Sequence, residues 1–170
     1  CSYRFRLDTT TDDTPFVENV FEWLCPLYAT FDADEERVSG QLAAVEMLRT
    51  GTTTFLEAGT IRFLDDVIDG LVEVGIRGRV GQWIWDLPPE PVVYRRNTDQ
   101  AITALEQQLI DHRSHANGRI GAWSILVGHT TASEPLWHAA VELSRQYEVG
   151  LSFHMSPAHT IVTEGTTSQR

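Results

Sequence analysis

The sequence predicts an α/β domain whose strands all run parallel, and three observations carry that expectation. After two leading helices, strand and helix periodicities alternate along the chain. Each link between successive strands is long enough to hold a helix, as parallel pairing requires. The junctions fall at Gly, Asn-Gly or Pro-rich turns. With 170 residues and 42% hydrophobic content, the chain suffices for one domain with a core.

The first helix is expected from Pro15, where Phe16, Val20, Trp23 and Leu24 recur at three- and four-residue spacing behind Asp13 or Thr14 as cap. A second is expected over Asp34 to Thr50, with Val38, Leu42, Val45 and Leu48 as its apolar face and Gly51 as its stop. The β-branched run Thr52 to Ala58, closed by Gly59, reads as a short buried strand. From Ile61 the helical period returns through Leu64, Val67, Ile68, Leu71 and Val72, and Gly75 ends it.

Arg77 to Trp85 is the next strand, and Pro88, Pro89 and Pro91 impose an irregular loop after Asp86. Thr98 can cap a helix lined by Ile102, Leu105, Leu109 and Ile110, which Asn117-Gly118 terminates. Arg119 to Val127 is a strand, and Ser133 caps a helix through Tyr147, with Pro135 in its first turn and Gly150 beyond its end. Leu151 to Met155 completes four parallel strands, and residues 158–170 read as a loop or disordered tail. Periodicity alone leaves two architectures open, part of a (β/α) barrel or a doubly wound open sheet; no Gly-rich phosphate loop opens any helix.

Composition excludes several function classes. Thirteen basic against twenty-four acidic residues give a formal charge of −11, which repels phosphate backbones and argues against nucleic acid. Cys1 and Cys25 match no CxxC or zinc-ribbon spacing, so a reducing, cytoplasmic setting is expected. No apolar run approaches the ~20 residues that cross a bilayer, and Cys1 to Arg6 lacks a signal-peptide core. The non-Met start fits a processed or partial chain.

In parallel architectures chemistry gathers at the carboxyl ends of strands. His154, in LSFHMSP, and His129, in ILVGHTT, fall there. A neutral imidazole suits zinc or iron, yet one histidine cannot hold a catalytic metal, and a lone histidine more often satisfies backbone groups. Glu57 and Asp86 are the acids best placed for a site, with Asp65 and Asp66 nearby; the competing reading is that these are solvated surface acids. His112 and His115 read as helix-end decoration, His138 as helix surface or packing and His159 as tail. Trp83 and Trp85 read as core packing ahead of a wall for a ring-shaped substrate. No Ser-His-Asp order, GxSxG elbow or reactive-cysteine setting is present.

The stretch FVENVFEWLCPLYATFDADEERVSGQLAAVEMLRTGTTTFLEAG, and within it EMLRTGTTTFLEAG, resembles the chlorohydrolase and aminohydrolase branch of the amidohydrolase superfamily. The likeness extends through VGHTTASEPLWHAAVELSRQYEVGLSFHMSP, similar to the family's passage from the fourth barrel strand to the fifth. The resemblance implies a partial (β/α)8 TIM-type barrel and a metal-dependent hydrolase acting on a C–N or C–halide bond of a small cyclic substrate. It implies that His154 is a metal ligand on the fifth strand, for zinc or iron, and that His129 contacts substrate. The family metal lowers the pKa of a water so that it attacks near neutral pH.

The family's first-strand HxH pair, its later histidine and its late aspartate are not in this sequence. Pro157 stands three residues beyond His154, where many deaminases carry a proton-transfer glutamate, and Glu164 has no spacing that nominates it in exchange. Four parallel strands cannot close a barrel, so completion by missing sequence or by homo-oligomerisation is expected. The rival readings are a catalytically silent half-barrel that binds a partner or ligand, and a complete open α/β module.

Overall fold

The computed structural model describes residues 25–59, 61–88, 95–128 and 130–154. The expected helix from Pro15 and the tail 158–170 lie outside them. The described elements run in the order α1 Cys25–Ala29, α2 Ala33–Arg49, β1 Thr54–Leu56, α3 Leu64–Val74, β2 Arg77–Val80, α4 Thr98–Asp111, β3 Ile120–Ala122, β4 Ser124–Gly128, α5 Glu134–Gln146 and β5 Leu151–His154.

Pairing is parallel throughout: β1 with β2, β2 with β3, and β4 with β5. Strands β3 and β4 are one stave broken at Trp123, so the four expected strands are present in consecutive spatial order. Trp123 N–H still donates to the Val80 carbonyl at 3.1 Å, and Val127 N–H to that of Ile84 at 3.2 Å, which keeps this stave beside the one before it. A doubly wound sheet reverses its order at a switch point; this one does not, and consecutive parallel order is the barrel arrangement.

Three of the expected strands are shorter than the sequence suggested, and the first, regular only over Thr54–Leu56, is not the buried strand expected, because Thr54 and Leu56 are exposed. Arg77 to Trp85 is regular only through Val80, and Arg119 to Val127 is interrupted at Trp123. The Gln108 side chain explains the interruption, because it inserts its amide between the staves. It accepts from Gln82 N–H at 2.9 Å and donates to the Trp123 carbonyl at 3.0 Å, satisfying backbone groups that the ladder leaves over.

Helix ends follow local chemistry. Asp32 caps α2 in a reciprocal box with Glu35 (Glu35 N–H to Asp32 Oδ1, 2.8 Å; Asp32 N–H to Glu35 Oε2, 3.1 Å). Gly75, at φ 93°, ends α3 in the left-handed conformation that glycine adopts without strain. Ser133 caps α5 as expected. Asn97, in a box with Gln100, caps α4 in place of Thr98, whose hydroxyl is drawn instead to Asp86. That helix stops at Asp111, and the chain turns back through Ala116, Asn117 and Gly118, all at positive φ.

Two apolar clusters lie between sheet and helices. Ala44, Leu64, Val67, Ile68, Leu71 and Val80 join α2 and α3 to the first staves, while Leu105, Leu109, Leu126, Leu136 and Ala140 join α4 and α5 to the later ones. The opposite, inner face carries Trp83, Trp85 and Val127 beneath Cys25 and Tyr28 of α1. Gly59 and Gly81 keep that face close: a Cβ at either would come within 2.9 Å of Ile125 atoms. The periodicity reading of α2 needs correction. Val38, Leu42, Val45 and Leu48 are exposed, and the helix instead buries Glu36 and Ala44.

Candidate functional site

The carboxyl ends of the staves carry Glu57 after β1, Asp86 beyond β2 and His154 closing β5. His129 lies outside the described residues. His154 is half-buried at the end of its strand. Leu151 and Phe153 pack toward the helices, with the Phe153 ring edge-on to Trp137 at 4.6 Å. Alternation along the strand therefore puts Ser152 and His154 on the inner face, and Ser152 pairs in register with Ile125. Gly128 sits opposite His154 across a bulge, and a Cβ there would lie 3.9 Å from the histidine Cβ.

Asp86 is neither a free catalytic acid nor a solvated one. Its Oδ2 accepts from the hydroxyls of Thr98, at 2.7 Å, and Ser133, and its Oδ1 accepts from Ser133 N–H at 2.7 Å. Thr98 begins α4 and Ser133 caps α5, so one carboxylate ties together two helix N-termini, where negative charge is favoured. Glu57 Oε2 accepts from Gly59 N–H at 2.5 Å, closing a tight turn at φ 80°. The same acid lines a cavity of about 210 Å³ with Tyr28, Glu36, Met47, Phe55 and Ile61. Asp65, in the first turn of α3, is exposed, and Asp66 is half-buried.

Glu36 is a residue that sequence reasoning missed. Buried on α2, it accepts from Arg62 N–H at 3.0 and 3.2 Å and from Phe63 N–H at 2.6 Å. Phe63 is the N-cap of α3 and has no side-chain cap of its own. Glu36 thus caps a helix 26 and 27 residues away in sequence and fixes the loop that leaves β1. Arg62 adds a tie from its guanidinium to the Ala29 carbonyl at 3.2 Å, which joins that loop to α1. No local signal nominates Glu36; in the sequence it is one acid of the run Asp34-Glu35-Glu36.

His112 is buried, its Nδ1 3.2 Å from His115 Nε2 and its Nε2 3.4 Å from Asp65 Oδ1. Burial pushes its pKa below the usual histidine value, and Asp65 pulls the other way. His138 is exposed beside Glu134, as expected of helix surface. Cys25 is a free thiol that burial pushes up to about 12, so it carries no nucleophilic thiolate at neutral pH. Trp83 and Trp85 pack edge-on at 4.8 Å in the inner-face cluster, which bears out core packing.

Among the described residues no three His, Cys, Asp or Glu side chains converge to hold a metal, and no helix is long and apolar enough to cross a membrane. His154 fits a metal as a single strand-end imidazole donor; the described residues do not complete a ligand set around it.

These features define one class, a consecutive run of parallel β/α units from a barrel. No family model matches the chain. It is 28% identical over 163 residues to a 5-methylthioadenosine/S-adenosylhomocysteine deaminase of Thermoanaerobacter pseudethanolicus, a match covering 90% of this chain and 34% of that one. It is 25% identical over 153 residues to a 5'-deoxyadenosine deaminase of Methanosphaera stadtmanae, again covering 90% and 34%.

Among solved structures, guanine deaminase from C. acetobutylicum with bound guanine superposes with a TM-score of 0.79 at 16% identity, over 93% of this chain and 38% of that one. Atrazine chlorohydrolase TrzN from Arthrobacter aurescens TC1, complexed with zinc, superposes with a TM-score of 0.69 at 17% identity, over 92% and 40%. In sequence the chain is similar to these deaminases, and in fold it is similar to guanine deaminase and atrazine chlorohydrolase. It spans about a third of the length of the curated relatives it matches.

Proposed function

We propose that this chain forms the leading half of the barrel of a metal-dependent hydrolase that acts on a C–N or C–halide bond of a small cyclic substrate. The observation that carries the reading is His154, a half-buried imidazole on the inner face at the carboxyl end of the last stave, in a chain whose relatives are named deaminases. His154 supplies one ligand to a divalent transition metal, zinc or iron, and the remaining ligands come from outside the described residues. When bound, such a metal supplies Lewis acidity and an activated water.

This chain's own residues hold the frame. Glu36 and Arg62 fix the loop after β1, and Asp86 fixes the starts of α4 and α5. Trp83 and Trp85 are buried on the inner face against Cys25 and Val127. His129 contacts the substrate in this reading. The setting is cytoplasmic, consistent with the free, buried thiol of Cys25.

Pro157 favours a second reading, a half-barrel without catalysis that binds a ligand or partner, because proline cannot relay a proton. Elemental analysis of the full natural product, beside its His154→Ala variant, separates the two. The hydrolase reading expects about one transition metal per chain, lost in the variant while the circular dichroism spectrum is retained. Equal metal content in both proteins would overturn the ligand assignment; a metal-free natural product would favour the silent half-barrel.

A further inference from the structure

Helix α3, LDDVIDGLVEV, carries four carboxylates and no basic residue. At about 100° of rotation per residue, Asp65, Asp66, Asp69 and Glu73 fall within an arc of roughly 100°, opposite the side formed by the buried Leu64, Val67, Ile68 and Leu71. Asp65, Asp69 and Glu73 are exposed and stand four residues apart, so each meets the next like charge one turn away. Glu73 also lies in the last turn, where the helix dipole disfavours a negative charge.

The ends of this row touch neighbouring helices and its middle does not. Arg37 of α2 pairs with Glu73. His112, after α4, lies 3.4 Å from Asp65, but burial holds its pKa below the usual histidine value, so it is neutral at pH 7. Asp69 lies exposed between these two contacts. The whole chain repeats the imbalance: 24 acidic residues stand against 13 basic ones, and all 13 are arginine, with no lysine. Arginine is the more weakly hydrated cation and binds carboxylates through a rigid fork, so it gives up less water to pair than a lysine ammonium does.

We propose that this chain is built to fold in concentrated salt, and that the carboxylate row of α3 is the element that sets the requirement. The proposal is independent of the hydrolase reading. Side chains four apart on a helix have their Cβ atoms about 5–6 Å from one another. The Debye length is about 10 Å at 0.1 M salt, so the row repels itself there; at about 1 M it is about 3 Å, and the repulsion is screened. The formal charge of −11 acts in the same direction over the whole fold, since self-repulsion disfavours the compact state of a highly charged chain. The row calls for an ionic atmosphere rather than a bound ion, because among the described residues no three acidic, His or Cys side chains converge to hold a metal.

Urea unfolding of the 170-residue chain, followed by circular dichroism from about 0.1 M to about 2 M KCl, tests this. The wild-type midpoint should rise with KCl. Asp69→Lys puts a cation between Asp65 and Glu73 and turns two repulsive pairs into attractive ones. It should raise the folding constant over wild type roughly tenfold at the low end of the series and less than about twofold at the high end. Asp69→Asn removes the repulsion alone and should gain about threefold at the low end. Where the wild type is unfolded at low salt, the KCl concentration needed for folding is read instead, and both variants should lower it. A wild-type midpoint that does not move with KCl would overturn the proposal, as would a chain that stays unfolded throughout the series. So would variants that keep the full wild-type dependence on KCl, the result expected if salt acts only by strengthening apolar burial.

Discussion

Replacing Asp86 with alanine removes the acceptor for three hydrogen bonds that hold the starts of two helices. Ser133 N–H, at 2.7 Å, loses its partner at a half-buried site, and the hydroxyls of Thr98 and Ser133 lose theirs. Hydrogen bonds to a charged group contribute about 1.5–3 kcal/mol each, but freed hydroxyls can rotate toward water or other acceptors, so the three do not add in full. Loss of the carboxylate charge at two helix N-termini adds about 0.3–1 kcal/mol per helix. The expected cost is therefore about 3–4 kcal/mol, a large share of the ~5–15 kcal/mol that holds a typical domain together. Urea unfolding followed by circular dichroism measures it as a fall in midpoint at constant slope. Asp86→Asn keeps one acceptor oxygen and should lose about half as much, and Asp86→Ala with Ser133→Ala should fall well short of additive. If Asp86→Ala stays within about 1 kcal/mol of wild type, the carboxylate is not the anchor the geometry describes.

Two further outcomes follow from buried polar groups. The Ser124 hydroxyl is buried with no hydrogen-bond partner among the described residues, so Ser124→Ala should leave the unfolding midpoint unchanged or raise it by up to about 1 kcal/mol equivalent; a clear loss would mean that the hydroxyl is satisfied in solution. Burial holds the folded pKa of His112 below its ordinary value near 6.5, so between those two values the unfolded chain binds more protons than the native one. The His112 contribution is therefore fully present above about pH 6.5 and is lost as pH falls toward the lowered folded value. Denaturation midpoints of wild type and His112→Gln, measured from pH 7.5 to 5, should converge as pH falls; parallel curves would remove His112 from the pH dependence.

The candidate site was only partly legible in the sequence. His154 could be nominated because it ends the short run LSFH before a Pro-containing turn, and its role as a ligand was implied only by the family resemblance. Asp86 was nominated by position alone, and its three partners, from segments 12 and 47 residues away, changed its role to an anchor. Glu36 and Gln108 carried no local signal. Each satisfies backbone groups of a segment distant in sequence, and such needs arise only once the chain has folded back on itself.

By itself the sequence determined the alternation of helix and strand from α2 onward, because apolar period, caps and glycine stops act within a few residues of one another. It also determined which end of the strands carries His154. The tertiary structure decided what depends on distant neighbours. Consecutive stave order selected a barrel segment over an open sheet, a choice that periodicity cannot make because both architectures use the same β/α unit. It broke the third stave at Trp123, where a glutamine from α4 meets the backbone. It also turned the most regular apolar stripe of α2 outward: Val38, Leu42, Val45 and Leu48 share a face by helical geometry, but only the packing of Glu36, Gly40 and Ala44 on sheet and α3 decides which way that face points.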